Sequence, residues 1–564
     1  MGYHTFASYS GRINGIFGFR EHLIVHAGTS LYIHGEEPQE IYNGLNDDRS
    51  SALILAEKLW FVDGSILLGI GEWEEGVISA KPAADEAYVP TVYISVHPEG
   101  GGEPFEKVNM LTDMRSDSFL GTADAKVYQL SYMELTDAEV TVKVMNSKGE
   151  LVEKTSGFTV DRTTGRVTFD TAPGVSPVTG EDNVVITYGV DNSEYRKRLY
   201  GCRFGICYGV AGATDRIFLS GNPEYPNYDW WCNINDPTYW GDQWYGTIGK
   251  EESPIMGYSI INQYLATHKA SDDNERNIYT RYGTLDEKGN AEFNVQDIIQ
   301  GAGAVSRWSF AYIKEPMYLT DIGIVATTPY EFNSERYVQG RSFYLNGRLL
   351  EEEDLSEAVA VAYKDFYALA IGGRVYLLDT LQKTGQNSAK SEYQYEGYLW
   401  DNIPARVLFF DGDALMFGDA DGNIMRFNTD TESLLSYNDN GEAIKCRWDF
   451  DFSGEDFYRK KRIKHFAIRL NSYAITSVEV WKRVKGIWQR QFAEPAAARY
   501  LSFSQLSFRN FTFTSDSNPR SIERKINIRR VDAVRFSLRN EEVNQPFGIF
   551  EYALEFSESG YYKG

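Results

Sequence analysis

The chain has 564 residues, with 56 Lys/Arg against 80 Asp/Glu and a formal net charge of −24. That length calls for roughly two or three domains, and so acidic a chain repels duplex DNA as a whole, which excludes a general nucleic-acid binder. Four cysteines exclude a disulfide scaffold, 42% apolar residues exclude wholesale disorder, and no uncharged apolar run approaches the ~18 residues of a membrane helix.

The first residues, MGYHTFASYSGRING, lack a basic-then-apolar signal pattern, so neither secretion by a leader nor membrane insertion is expected. The charge is uneven. Residues 440–564 carry a net +7, leaving −31 for the remainder. Either the surfaces of two domains simply differ, or the tail docks onto an acidic partner.

In chain order the pattern is β almost throughout. Aromatic and β-branched runs are broken by Gly, Asn and Asp. One local layout recurs: strand, two-residue turn, strand, two-residue turn, strand. It is read near Phe17–Ile33, with turns near Glu21-His22 and Gly28–Ser30, and at Ala52–Ile70, with turns at Glu57-Lys58 and Gly64-Ser65. Weaker versions lie near Arg203–Ser220, Ile261–Tyr282 and Trp308–Ala326. The clearest is Ala358–Asp379, with turns at Lys364-Asp365 and Gly372-Gly373, and the last is Arg406–Asn428. Such units cannot bury their faces alone, and radial stacking around an axis solves that. The period is interrupted after the second unit. Residues 126–190 alternate cleanly as Val140–Val144, Gly157–Val160, Arg166–Phe169 and Asn183–Tyr188, which reads as a small inserted β-sandwich. From about 440 the strands Ser477–Trp481, Val534–Leu538 and Ile549–Phe556 suggest a separate sandwich.

The expected fold is therefore all-β: a β-propeller of six to eight blades, with an inserted small β-sandwich and a C-terminal β-sandwich-like domain. The segments are first blades at 1–92, the insert at 93–195, remaining blades at 196–438 and the C-terminal β domain at 439–564.

Chemistry is sparse. His22 and His26 are four apart, but in a strand-rich region and without a third ligand at zinc spacing. Cys202, Cys207, Cys232 and Cys446 form no CxxC pair and read as reduced core residues. Asp419, Asp421 and Asn423 begin like a calcium loop, but Gly422 sits at the wrong place and no Glu follows at the twelfth position, so a tight Asp-Gly turn is expected. No nucleophile elbow, phosphate loop or sialidase-type Ser-x-Asp-x-Gly-x-x-Trp box is present. The reading is of no catalytic residues, no metal, no cofactor and no enzyme.

Two stretches stand out as binding candidates. Between Tyr225 and Trp244 seven Trp/Tyr rings crowd together, among them Tyr225, Tyr228, Trp230, Trp231, Tyr239 and Trp240. They could form an aromatic platform for sugars, or pack as the private core of a long loop, since Pro223, Pro226 and Pro237 argue against regular structure here. Arg459, Lys460, Lys461, Arg462 and Lys464 put five charges in six residues, either a grip for an acidic partner or a solvated face.

The runs Phe218-Leu-Ser-Gly-Asn-Pro-Glu-Tyr-Pro-Asn-Tyr-Asp-Trp230, Asn235-Asp-Pro-Thr-Tyr239, Ile255-Met-Gly-Tyr258 and Phe417-Gly-Asp-Ala-Asp-Gly-Asn-Ile-Met-Arg-Phe-Asn428 resemble structural proteins of phages and prophages of Gram-positive bacteria. Ala358–Ala362, Asn402–Val407, Gly157–Asp161 and Gly180–Thr187 look similar too, so the resemblance spans most of residues 10–430. It is to the packaged-DNA stabilisation or tail nozzle (hub) proteins of short-tailed phages. That resemblance implies a virion protein without catalysis, a propeller-bearing subunit in a homo-hexameric ring at the portal vertex of the tail. It also implies portal, adaptor and tail-fibre partners, assembly in the host cytoplasm, and retention, then ejection, of double-stranded DNA that passes without specific binding. The alternative is a glycan-binding adhesin using the aromatic loop at 225–245.

Overall fold

The computed structural model describes residues 2–74, 76–271, 277–299, 301–327, 338–387, 392–431, 433–456, 458–470, 476–495 and 520–561. The chain divides into two compact units, one of residues 9–410 with 417–423, the other of residues 1–8, 411–416 and 424–564.

Of the eight four-stranded sheets among the described residues, seven recur as consecutive antiparallel units before the C-terminal region. The first holds Ile13–Phe19, His22–Ala27, Ser30–Ile33 and Gln39–Asn43. The second holds Ser51–Leu55, Lys58–Val62, Leu67–Glu74 and Val77–Pro82. After an interruption the third follows with Phe204–Cys207, Ile217–Ser220, Tyr228–Trp231 and Tyr245–Thr247. The fourth, fifth and sixth begin with Ile255–Ile261, Ala311–Ile313 and Val359–Tyr363. The seventh runs Val407–Phe410, Leu415–Gly418, Asn423–Phe427, and takes the N-terminal Tyr3–Ser8 as its outer strand.

Within residues 9–410 the first strands close a cycle. Ile13–Phe19 touches Ser51–Leu55, which touches Phe204–Cys207, which touches Ile255–Ile261. That strand meets Glu315–Thr320 of the fifth sheet, whose first strand meets Val359–Tyr363. Val359–Tyr363 meets Val407–Phe410, which returns to Ile13–Phe19. This is a seven-bladed propeller, inside the expected six to eight. The blades bury their faces against one another, Phe19, Ile24 and Leu31 of the first against Phe61, Leu68 and Ile70 of the second. Each such side chain contributes about 1.5–3 kcal/mol on burial.

Each repeating unit read from the sequence falls on one sheet. Residues 272–276 of the fourth unit lie outside the described residues. Two turns sit one residue earlier than read. The positive φ values fall at Ala56 and Glu57 rather than Glu57-Lys58, and at Arg20 ahead of His22. Lys58 and His22 already belong to the next strand, where their backbones enter the ladder. The Gly372-Gly373 turn has φ of 58° and 77°, the left-handed pair that a type I′ hairpin needs.

The insert is two sheets around one core. Six strands in the order Glu103–Pro104, Thr91–Val96, Met114–Phe119, Val184–Gly189, Thr141–Met145 and Leu151–Glu153 face three, Val127–Gln129, Arg166–Phe169 and Phe158–Asp161. Val96, Phe119, Tyr128, Val142, Val167, Phe169 and Ile186 fill the space between them. The C-terminal region is a second sandwich. Cys446–Phe452, Val534–Asn540, Val478–Val484 and Ile487–Glu494 make one sheet, and Arg520–Val531, Arg459–Leu470 and Ile549–Tyr561 the other. Phe466, Ile468, Val480, Phe536 and Leu538 lie between them.

Candidate functional site

The aromatic stretch is built into the third blade. Tyr228–Trp231 is a strand, contrary to the sequence reading, because Pro226 and Pro237 flank it without falling inside it. Its register sets Trp231 opposite Phe218 and Trp230 opposite Leu219. Alternation sends the two indoles to opposite faces. Trp230 (1% exposed) joins Trp60, Ile217 and Trp240, while Trp231 joins Phe218, Tyr258 and Phe293. Trp240 is fully buried, its Nε1 donating to the Pro237 carbonyl at 2.7 Å. Tyr239 is buried and donates to the Lys107 carbonyl at 2.8 Å. Tyr228 stacks on Trp230, and Tyr225 meets both edge-on. The rings therefore form a core between blade and insert rather than an open sugar platform. Asn109 pins the junction, donating to the carbonyls of Tyr88 and Thr238 and accepting from the backbone N–H of Trp240.

Asp229, between those aromatic residues, is fully buried beneath Arg281 of the fourth blade. Both guanidinium ends reach the carboxylate, Nη1 at 3.0 Å, and Tyr258 donates to it at 2.9 Å. Burial opposes the charge on Arg281, but Asp229 overcomes that and holds its pKa above the ordinary value. The same carboxylate adds to burial in pushing the Tyr258 phenol far up. This cluster ties two blades together.

The basic run is not one patch. It opens the strand Arg459–Leu470, the middle strand of its sheet, so successive side chains leave opposite faces. Lys461 is buried, and its Nζ donates to the carbonyls of Asp456 and Asp532. Arg459 pairs with Asp456 at 3.3 Å, Lys464 with Glu555 at 3.1 Å, and Arg462 donates to Asn527. Lys460 is half-buried. The run is therefore a strand whose charges leave on both faces, with Lys461 inside.

The structure instead assembles a site that the sequence reading missed, at the end of the propeller where the innermost strands begin. In five of seven blades an arginine stands within four residues before that strand: Arg12, Arg49, Arg203, Arg307 and Arg406. The loop before Ser51–Leu55 reaches across the axis. Asp48 accepts from Arg203 of the third blade at 2.7 Å and from Arg406 of the seventh at 3.1 Å. Arg49, almost fully buried, donates to the carbonyls of Glu357 and Arg406 and pairs with the Glu357 carboxylate at 2.9 Å. Blades two, three, six and seven are thereby laced together over the mouth of the axial channel. Partial burial opposes ionisation of Asp48, yet the bonds from Arg203 and its neighbours hold its pKa low. Burial, and then Arg406, depress Arg49. The innermost strands themselves carry no charged residue.

The remaining candidates are structural. His26 is buried, its Nδ1 at 2.9 Å from the Ser50 hydroxyl, while His22 is exposed. Cys202 and Cys232 are buried thiols whose pKa values burial drives up. The Asp419 carboxylate accepts from the backbone N–H groups of Asp421 and Asn423, the geometry of a tight turn, with Gly422 at φ 89°.

No family model matches the chain, and no curated protein does. Solved structures that it resembles include the WD40 domain of Neurospora crassa Pan2, at 9% identity over 74% of this chain and 88% of that one, with a TM-score of 0.29. Another is BBS1N in complex with ARL6DN, at 11% identity over 76% and 95%, with a TM-score of 0.31. A third is an exo-β-1,3-galactanase from Phanerochaete chrysosporium, at 9% identity over 62% and 96%, with a TM-score of 0.22. Scores this low assign no activity, and the propeller rests on its own ring of sheets. The expectation that the chain is not an enzyme is nevertheless corrected: a galactanase is an enzyme and stands among these matches, so absence of catalysis is withdrawn as a reading.

Proposed function

We propose that this chain is a structural subunit of a short-tailed phage virion, a tail nozzle or hub protein that assembles into a homo-hexameric ring below the portal and adaptor. The ring retains packaged DNA and conducts it at ejection. The observation that carries the reading is the resemblance of residues 218–230, 235–239, 255–258 and 417–428 to that family. The net charge of −24 supports it, since a conduit wall that repels phosphates lets duplex DNA slide past. The laced mouth of the propeller supports a division of labour in which DNA passes through the ring of subunits and not along any one propeller axis. The adhesin alternative is less favoured, because four of the eight Trp/Tyr rings of residues 225–245 that it needs, Trp230, Trp231, Tyr239 and Trp240, are buried.

The test is cryo-electron microscopy of the virion with this chain located in the map. A ring on the portal axis is expected. Density on peripheral fibres, or no copy in the particle, overturns the proposal.

A further inference from the structure

We propose that the mouth of the axial channel binds a small, doubly charged oxyanion of the phosphate class between Arg307 and Arg203. This inference does not depend on the virion reading.

Four guanidiniums, those of Arg49, Arg203, Arg307 and Arg406, gather at the mouth, and two carboxylates, Asp48 and Glu357, pair with them. Asp354 lies within electrostatic range of Arg49, but its carboxylate accepts from the backbone and hydroxyl of Ser356 in its own turn. Arg12 is matched by Asp47 at 2.9 Å, whose carboxylate also lies within electrostatic range of Arg406. Two positive charges are left over: one is Arg307 itself, and the other is shared by Arg203 and Arg406 across the single carboxylate of Asp48.

Arg307 is half-buried, and among the described residues it has no hydrogen-bond acceptor and no carboxylate. Its guanidinium lies 5.9 Å from the centre of the Phe204 ring. Arg203, the residue before Phe204, gives only its Nη1 to a carboxylate, that of Asp48. Burial and then the neighbouring charge of Arg203 both weigh against the charged form of Arg307. A desolvated arginine held beside a second arginine, with its whole fork of donors unspent, is a costly arrangement that an oxyanion relieves. Guanidinium forks match phosphate oxygens in pairs, and a dianion cancels the excess of two charges where a single carboxylate would leave half of it. The aromatic wall of Phe204 keeps water from one side and strengthens the interaction.

The test uses the full chain and inorganic phosphate. Arginine modification by phenylglyoxal, mapped by peptide mass spectrometry, reads the wild-type protein directly. Phosphate is expected to slow modification of Arg307 saturably, whereas chloride at matched ionic strength does not. In calorimetric titration Arg307→Gln is expected to weaken phosphate binding at least about tenfold, and Arg307→Lys, which keeps the charge but loses the fork, to recover only part. Circular dichroism in phosphate-free buffer shows whether each variant is folded. Equal protection by chloride, no saturation with phosphate, or unchanged binding by a folded Arg307→Gln variant overturns the proposal.

Discussion

Replacing Arg281 with Met strands the carboxylate of Asp229 in a fully buried site. In the wild-type chain that carboxylate receives two bonds from Arg281 and one from Tyr258, and Arg281 also donates to Thr267 at 2.9 Å. Removing one member of a buried pair costs about 3–5 kcal/mol, because the partner's desolvation is no longer offset. The orphaned Thr267 hydroxyl and the lost packing on Phe218 act in the same direction. Replacing both members, Arg281→Met with Asp229→Leu, removes the stranded charge. It leaves the Tyr258 hydroxyl unpaired, at about 1–3 kcal/mol, while the loss at Thr267 is common to both variants. The double variant is therefore expected to be more stable than Arg281→Met alone, with a coupling of about 2 kcal/mol or more. Urea unfolding followed by tryptophan fluorescence measures this, since Trp230 and Trp231 directly follow Asp229. A loss below about 1 kcal/mol for Arg281→Met, or a double variant no better than the single, would show that the pair does not hold the third and fourth blades as argued.

Burial lowers the pKa of His26 to about 4 and that of His268 to about 3. The unfolded chain takes up these protons near 6.5, so stability is full above that pH and falls as the pH drops towards 4, by up to ~1.4 kcal/mol per pH unit for each group. Urea midpoints at pH 7.5 and 5 should differ less in a His26→Gln, His268→Gln double variant, and an equal pH dependence would contradict the assignment. Trp240→Ala empties a fully buried site and is expected to cost about 3–5 kcal/mol, read by thermal or urea unfolding. Gly303→Ala places a Cβ about 2.1 Å from the Ser271 backbone nitrogen and is expected to cost ~1–3 kcal/mol on the same assays, while unchanged stability would refute the close approach. Addition of mono- or oligosaccharides is expected to leave the fluorescence of Trp230 and Trp240 unchanged, and a saturable change would restore the adhesin reading.

The propeller was legible because its evidence is local. Two-residue periodicity and turns such as Gly372-Gly373 each occupy fewer than ten residues, and the unit recurs. The fourth strand of three blades was less legible. Gln39–Asn43, Tyr245–Thr247 and Val338–Gly340 are short and largely solvent-facing, so they carry little apolar alternation. The strand Tyr228–Trp231 was hidden by the prolines around it. The basic run misled for a related reason: five charges adjacent in sequence sit on alternate faces of a strand, and Lys461 lies inside.

The mouth of the channel escaped because its members are far apart in sequence. Arg49 meets Glu357 across 308 positions and Asp48 meets Arg406 across 358. One signal was available, an arginine close before the innermost strand in five of seven units, but it becomes visible only once blades are aligned by their strands. A propeller brings every such position to one end of one axis, so a residue type repeated at a fixed place in the repeat becomes a ring of like charge. Like charges converging on an axis must be neutralised from within or by a ligand. Asp48 and Glu357 supply the first for two of the three charges on Arg49, Arg203 and Arg406, and the remaining charge, with that of Arg307, is left for the second.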